Sequence, residues 1–322
     1  IGIIETCGSA NLIDILKYSI PRGWILHVCP ASQFITVAGA ISNNVHGKNC
    51  TNKGYFGDYI KEIKILTPEQ GLMACSEFEN SELFYSTISG LGVFGVITKV
   101  KIQLRKIITT NIITKINYVL NIDEAVEKID NLTNDYEYNI GSLNFTRYNN
   151  NLISGKIYSS NFSKDTILNE NNNSANSLIY LINYLLLFNR MSVFTNIIEY
   201  LFSKITNHKN LKIDEIKQNY YSMNFLGDKY LPLYNHFFKD GFIEYQVIFD
   251  KSKYQKAIQE MVILIKNGNY SSYMSSFKAY KPANPKYLFG LTKNGYCITL
   301  DIPFQKNNNF SDFIRKLNEI AI

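Results

Sequence analysis

This chain of 322 residues lacks the marks of a disulfide or metal protein. Its five cysteines, Cys7, Cys29, Cys50, Cys75 and Cys297, are odd in number and include no C-x-x-C pair. That argues against a disulfide framework and against a structural zinc site, and it favours a reducing compartment. The four histidines, His27, His46, His208 and His236, lie far apart with no H-E-x-x-H pattern, so no metal is expected. A membrane-spanning helix needs about 20 apolar residues in a row. The two apolar stretches at 178–188 and 193–202 fall short of that. They read as paired helices covering a sheet, with peripheral contact at a membrane surface as the alternative use. Basic clusters are missing too: the formal charge of +6 is spread among Asn, Ile and Tyr. That excludes a dedicated nucleic-acid binder and leaves attraction to phosphorylated ligands or an anionic surface.

What is present suffices for a sizeable core. Hydrophobic content of 46% in this length supports about two domains. Strand alternation or short apolar runs appear at 1–7, 24–29, 60–66 and 96–104, with helical spacing at 11–19 and 81–89. Pro68-Glu-Gln-Gly71 reads as a hairpin turn. Beyond 105 the composition shifts. Strand-like segments at 107–120, 138–147, 242–249, 270–280 and 296–303 alternate with helical ones at 122–132, 251–266 and 308–322. The expected fold class is α+β: residues 1–105 as one unit, and 106–322 as an antiparallel sheet covered by helices. The Asn-rich 169–176 reads as a loop. The chain opens on Ile1 and closes at Ile322 within an amphipathic stretch, so it is expected to be the middle part of a longer protein.

The most informative run is Pro30-Ala-Ser-Gln-Phe-Ile-Thr-Val-Ala-Gly-Ala-Ile-Ser-Asn-Asn-Val-His-Gly-Lys-Asn49. Small side chains let a backbone approach a large ligand, and main-chain N–H groups can then converge on a pyrophosphate or planar ring. His46 and Lys48 follow as the polar and cationic groups. A lone histidine is more often structural than catalytic, and here its position after the small-residue run argues for function. Gly90-Leu-Gly-Val-Phe-Gly95 matches G-x-G-x-x-G, but a helix precedes it and a strand follows. That order is the reverse of a dinucleotide fingerprint, so the segment is expected to be a tight turn passing something flat.

Together with Gly54-Tyr-Phe-Gly-Asp58, Glu82-Leu-Phe84 and Gly90–Ile97, the run resembles the flavin-binding domain of the vanillyl-alcohol oxidase superfamily. Thr36-Val-Ala-Gly-Ala-Ile41 followed by His46-Gly-Lys-Asn49 is similar to the decaprenylphosphoryl-β-D-ribose 2-oxidase family in particular. Asp228, Gly241-Phe-Ile-Glu-Tyr-Gln246, Ser276-Phe-Lys278 and Leu300-Asp-Ile-Pro303 continue the match in order, weakest over 107–220. The resemblance implies 1–105 as the later part of an FAD-binding domain and 106–322 as a substrate domain. It implies non-covalent FAD, contacted by Ala31, Ser32, Thr36, Val37, Ala38, Gly39, Asn43, Asn44, Val45, His46 and Ile97. Lys278, His46 and Lys48 become the catalytic candidates, and Lys48, Asn224, Glu244, Gln246, Lys278 and Thr299 the substrate-facing ones.

The implied reaction is oxidation of the 2-hydroxyl of a polyprenyl-phospho-ribose to a keto sugar, in synthesis of an arabinose donor for the cell envelope. A lipid-linked phospho-sugar is then the substrate, and a short-chain NAD(P)H-dependent reductase is the partner that completes the epimerisation. The implied location is cytoplasmic or peripheral at the inner face of the membrane. A sugar or aldonolactone oxidase of the same superfamily and a non-catalytic flavin-binding subunit stay open, although no His-Trp-x-Lys motif of the former is present. Ala31 and Ala38 stand where the family usually has glycine, Asn224 where it often has tyrosine, Glu244 where it has glutamine, and Thr299 where some members have cysteine. The family's Gly-rich pyrophosphate segment and a further C-terminal lysine are not among these residues, so FAD is expected to bind this segment weakly.

Overall fold

Two antiparallel sheets carry the chain, and the alternation along their strands decides which faces meet. The computed structural model describes residues 2–143, 145, 153–165, 214–229, 238, 240–268, 270, 272, 274–291 and 293–321. The stretches at 178–188 and 193–202, the Asn-rich 169–176, His208 and His236 lie outside the described residues.

The first sheet holds β1 (Gly2–Cys7), β2 (Trp24–Leu26), β3 (Ile60–Thr67), β4 (Gly71–Ser76) and β5 (Val96–Lys106). Its order is β1-β5-β3-β4, with β2 also on β5. Helix α1 (Leu12–Ser19) starts at Asn11, which forms a capping box with Asp14, and buries Leu12, Ile15 and Leu16. Helix α2 (Val37–Ser42) forms inside the small-residue run, where Thr36 Oγ1 accepts the Gly39 N–H at 3.1 Å. Two short helices, α3 (Cys50–Lys53) and α4 (Ser81–Thr87), follow. The β3–β4 hairpin turns where Pro68–Gly71 predicts it, with Gly71 at φ 72°.

One strand is shorter than its apolar run. β2 stops at Leu26, which pairs with Leu104, because β3 takes over the same edge of β5 with Ile60 opposite Ile102. The Gly90–Gly95 segment is a turn between α4 and β5, with positive φ at Ser89, Leu91, Gly92 and Gly95. It is latched to the end of α2, with Ser89 N–H on Ile41 O and Leu91 N–H on Ser42 O, both 2.9 Å.

The second sheet holds β6 (Asn111–Val119), β7 (Tyr138–Leu143), β8 (Gly155–Phe162), β9 (Asp214–Asn219), β10 (Phe242–Asp250), β11 (Met274–Tyr280) and β12 (Gly295–Pro303). Its order is β10-β12-β11-β7-β8-β6-β9. Helices α5 (Ile122–Thr133), α6 (Tyr220–Asn224), α7 (Tyr254–Asn267) and α8 (Asn308–Ala321) accompany it. One face packs Phe277, Ile298 and Leu300 against Ile129 of α5, Met261 of α7 and Leu317 of α8. The opposite face contributes Ile112, Tyr138, Ile248, Tyr280 and Cys297 to a core shared with Val37, Ile41, Cys50 and Tyr55 of the first unit. The seven-stranded sheet is thus covered by helices on one side and by the first unit on the other. Strand alternation sends odd residues of β10 to the helices and even ones to the seam. This is an α+β architecture with the candidate residues along its internal seam.

Candidate active site

The seam is built by the segment between α2 and β3. After α2, Asn44 turns the chain through the left-handed region (φ 43°) and holds the next turn by accepting the Gly57 N–H on Oδ1 at 2.9 Å. His46 then pairs with Tyr55 as an isolated bridge. Gly47 lies so close to the main chain beyond β2 that a Cβ there would meet Cys29 O at 2.8 Å and Asn49 Oδ1 at 2.6 Å. Only glycine fits without moving backbone. That close approach lowers His46 and Lys48 onto β10, β11 and β12.

Across those strands, Gln246 stands opposite Thr299, Thr299 opposite Ser276, and Lys278 opposite Cys297. The Tyr280 hydroxyl lies 3.0 Å from His46 Nδ1 and 2.8 Å from Nε2, with the rings edge-on. Gln246 Nε2 reaches His46 Nε2 at 3.3 Å, the Tyr280 hydroxyl at 3.4 Å and Cys297 Sγ at 3.3 Å. Burial, with the Lys278 cation second, holds the imidazole of His46 well below its ordinary range. His46 is therefore neutral at pH 7, and Gln246 can donate to its ring nitrogen.

Lys48 Nζ donates to Met223 O, and to Asn224 O at 3.0 Å, at the end of α6. Burial first and the Lys278 cation second bring its pKa from 10.5 down to about 7. A neutral amine has two N–H groups and one lone pair. The two carbonyls match that form and leave the lone pair free to take a proton.

The structure brings His46, Lys48, Gln246 and Lys278 together, with Thr299 two positions along the strand from Cys297. Asn224 plays another part. It is 1% exposed and its Nδ2 donates to Pro30 O at 3.0 Å, so its side chain braces the small-residue run. Its Oδ1 is buried without a partner. Glu244 is exposed and stands opposite the buried Asp301 across β12. Tyr280 is not among the candidates read from the sequence. Tyr280 had a signal, since it lies two residues from Lys278 on one strand and shares its face.

The cofactor candidates behave differently from an open cradle of N–H groups. Val37 N–H goes to Ala10 O at 2.9 Å and Ala38 N–H to Gly8 O at 2.8 Å, while the Gly39 N–H is the Thr36 cap. Val37 faces the core with no exposure, and Ile97 is 7% exposed. Asn43 Nδ2 donates back to Gly39 O at 2.9 Å, and Val45 N–H to Ala40 O at 3.0 Å. Ala31 is exposed, and Ser32 Oγ accepts the Phe34 N–H at 3.4 Å. Gln33 N–H bonds Asp228 Oδ2 at 3.0 Å, tying this loop to the second unit.

These bonds make the run a rigid, small-residue surface rather than a nest of free donors. Beside it Gly92 is open, with Ser42 Oγ at 3.9 Å as the nearest neighbour of a would-be Cβ. Its chain neighbours Leu91 and Val93 are 59 and 72% exposed, and Phe34 within the run is 61% exposed. A small-residue floor with apolar side chains at its rim suits a large planar ligand such as a flavin. A separate groove along β1 and α1, lined by Ile3, Asp14, Tyr18, Arg22 and Trp24 among others, shares no residue with this constellation.

Among the described residues no group of three or more His, Cys, Asp or Glu is placed to hold a metal, and no helix is long and apolar enough to cross a membrane. Comparison with known proteins agrees with the small-residue floor. Residues 2–76 match the model of the FAD binding domain. The chain is 26% identical over 125 residues to a decaprenylphosphoryl-β-D-ribose oxidase of Mycolicibacterium smegmatis, covering 38% of this chain and 27% of that protein. It is 30% identical over 101 residues to cytokinin dehydrogenase 5 of Arabidopsis thaliana, covering 31% of this chain and 19% of that one. Cytokinin dehydrogenase 1 of the same plant is 34% identical over 94 residues, covering 29% and 16%. The matched part spans about a quarter or less of each of these relatives. Residues 2–76 thus form an FAD-binding domain, whose cofactor is FAD.

Proposed function

We propose that this chain is the catalytic part of an FAD-dependent oxidoreductase that oxidises a CH–OH group, with a polyprenyl-phospho-ribose as its substrate. The observation that carries the reading is the convergence of His46, Gln246, Tyr280, Lys48 and Lys278 on the seam between the FAD-binding domain and the seven-stranded sheet. FAD, when bound, supplies the acceptor for the hydride. The residues present would hold it through the floor of Thr36, Ala38 and Gly39 and the adjoining Gly90–Gly95 turn.

The chain's own task is to orient the alcohol and take up one proton. Lys278 stabilises the developing alkoxide as the hydroxyl loses its proton. Lys48, with its lone pair available near pH 7, is the proton acceptor. Neutral His46, held by Gln246 and Tyr280, fixes the wall of the pocket. The product is a keto sugar, to be consumed by a reductase of the NAD(P)H-dependent short-chain type, and the enzyme works in the cytoplasm or against the inner membrane face. A second reading is favoured by Glu244 and its cross-strand neighbour Asp301. Two carboxyl residues at one end of the sheet suit a neutral, hydroxyl-rich substrate better than a phosphate, as in a sugar or aldonolactone oxidase.

The test is the anaerobic visible spectrum of the FAD-loaded protein before and after substrate. Loss of the flavin band at about 450 nm with polyprenyl-phospho-ribose supports the first reading. Loss only with free sugars or lactones supports the second. A band that persists with all of them removes the catalytic reading and leaves a flavin-binding subunit.

A further inference from the structure

The loop that carries His46 and Lys48 is gripped from the second sheet, at a site outside the pocket. The Asn139 N–H of β7 donates to Lys48 O at 2.9 Å. One residue on, Asn49 Nδ2 donates to His27 O at 2.9 Å and to Glu137 Oε1 at 3.1 Å. Glu137 is in turn held by Arg105 at the end of β5, with Nη2 to Oε1 at 2.7 Å and Nη1 to Oε2 at 3.0 Å. Arg105 Nη2 also donates to the Tyr138 hydroxyl at 2.7 Å, and its guanidinium lies 5.2 Å from the centre of the Phe162 ring. Both charged side chains are 17% exposed. A two-pronged arginine–carboxylate pair in such surroundings is geometrically specific, and removing one partner leaves an uncompensated charge.

We infer that Glu137 is a positioning residue: through Asn49 it fixes the His46–Asn49 loop at the depth and angle at which Lys48 meets Lys278 and the carbonyls of Met223 and Asn224. This rests on the catalytic reading of Lys48 above and deepens it. Glu137 sits immediately before β7 of the second sheet, Arg105 at the end of β5 in the first, and Asn49 on the loop, so the three tie the reacting loop to both sheets at once. Loosening the tie lets water reach the Lys48 amine. The titratable groups around it are Lys278 on β11 and His46, neutral, on its own loop, with main-chain carbonyls from α6. None of these supplies an anion that would compensate its burial.

The experiment measures the pH dependence of Lys48 modification by an amine-reactive acylating reagent, read by peptide mass spectrometry in the full chain. The variants are Glu137→Gln, which keeps the shape and loses the charge, and Asn49→Ala, which cuts the relay and leaves the Arg105–Glu137 pair intact. Wild type should titrate near 7. Both variants should move toward the ordinary lysine range, to about 9 or higher. A midpoint unmoved in Asn49→Ala overturns the proposal, whatever the melting temperature does. If Glu137→Gln fails to fold, Asn49→Ala alone decides. The measurement needs no substrate, so a failure of the functional reading, seen as no oxidation of the candidate alcohols, is told apart from a failure of the positioning role, seen as an unmoved midpoint.

Discussion

The two faces of β10, β12 and β11 share one backbone and differ in nearly everything else. Toward the helices the strands present Tyr245, Val247 and Phe249, Phe277 and Ala279, and Tyr296, Ile298 and Leu300. Toward the FAD-binding domain they present Glu244 and Gln246, Ser276, Lys278 and Tyr280, and Cys297 and Thr299. The period of two makes this division possible, and a slip of one residue would exchange the faces. The first face stores stability and the second spends some of it on polar groups held near one another. The difference teaches that stability and chemistry can be separated by parity alone within three strands.

The sharpest way to break that comparison is to change neighbouring residues of opposite parity. Phe277 has no exposed surface and stacks at 5.7 Å on Tyr296. Phe277→Ala should cost about 3–5 kcal/mol of unfolding free energy in urea, by lost burial and a residual cavity. Lys278→Ala, one position on, should change stability by less than about 1 kcal/mol. It should lower the rate of flavin reduction by about 10²-fold or more, through the loss of alkoxide stabilisation. Near-normal reduction in Lys278→Ala would refute its catalytic assignment. A large loss of stability there would mean that the second face is structural as well.

Much of this was legible in the sequence because periodicity reports faces. The alternation at 60–66 and 96–104 marks β3 and β5, and the one at 242–249 marks β10. β8 and β9 were missed for a physical reason. Ser159 and Ser160 are buried positions of β8 filled by polar residues, and Ser160 bonds Thr114 on the next strand at 2.9 Å. β9, at the sheet's edge, reads Asp-Glu-Ile-Lys-Gln-Asn and has no apolar alternation to detect. In the site, the His46-Gly-Lys48 triplet was visible as a motif. Its partners were not, because Tyr280 and Met223 lie 234 and 175 positions away along the chain, as Glu137 lies 88 from Asn49, and only the topology of the second sheet brings them near. The small-residue run pointed to close backbone approach to a ligand; the close approach at Gly47 is to the chain's own Cys29 and Asn49. It did not reveal that Ala10, Gly8 and Thr36 had already taken the N–H groups of residues 37–39.

A milder change on the polar face tests whether its hydrogen bonds act as a set. Gln246→Leu keeps the volume and removes the donor to His46, Tyr280 and Cys297. Each neutral bond of this kind contributes about 0.5–1.5 kcal/mol. The variant should lower the rate of flavin reduction by about tenfold, measured by stopped flow, with a loss of about 1 kcal/mol in stability. A loss in the midpoint with no loss in rate would place Gln246 among the structural residues.

The smallest effect concerns what the polar face costs. Lys48 is buried against that face with its pKa brought from 10.5 down to about 7, by burial first and the Lys278 cation second. The unfolded chain binds this proton up to about pH 10.5 and the folded chain only up to about 7. Folding is therefore penalised wherever the unfolded state is protonated. The penalty is full below pH 7, shrinks as pH rises between those values, and is gone above the upper one. Lys48→Met never carries the charge, so it should be more stable than wild type at pH 6, by about 1 kcal/mol after the lost bonds to Met223 and Asn224 are counted. That advantage should shrink as pH rises and reverse before pH 10, as read from urea midpoints at three pH values. An advantage that is flat or grows with pH would mean that Lys48 stays a hydrated ammonium. The second face would then be polar without being desolvated, and its contrast with the helix-facing side would be one of composition only.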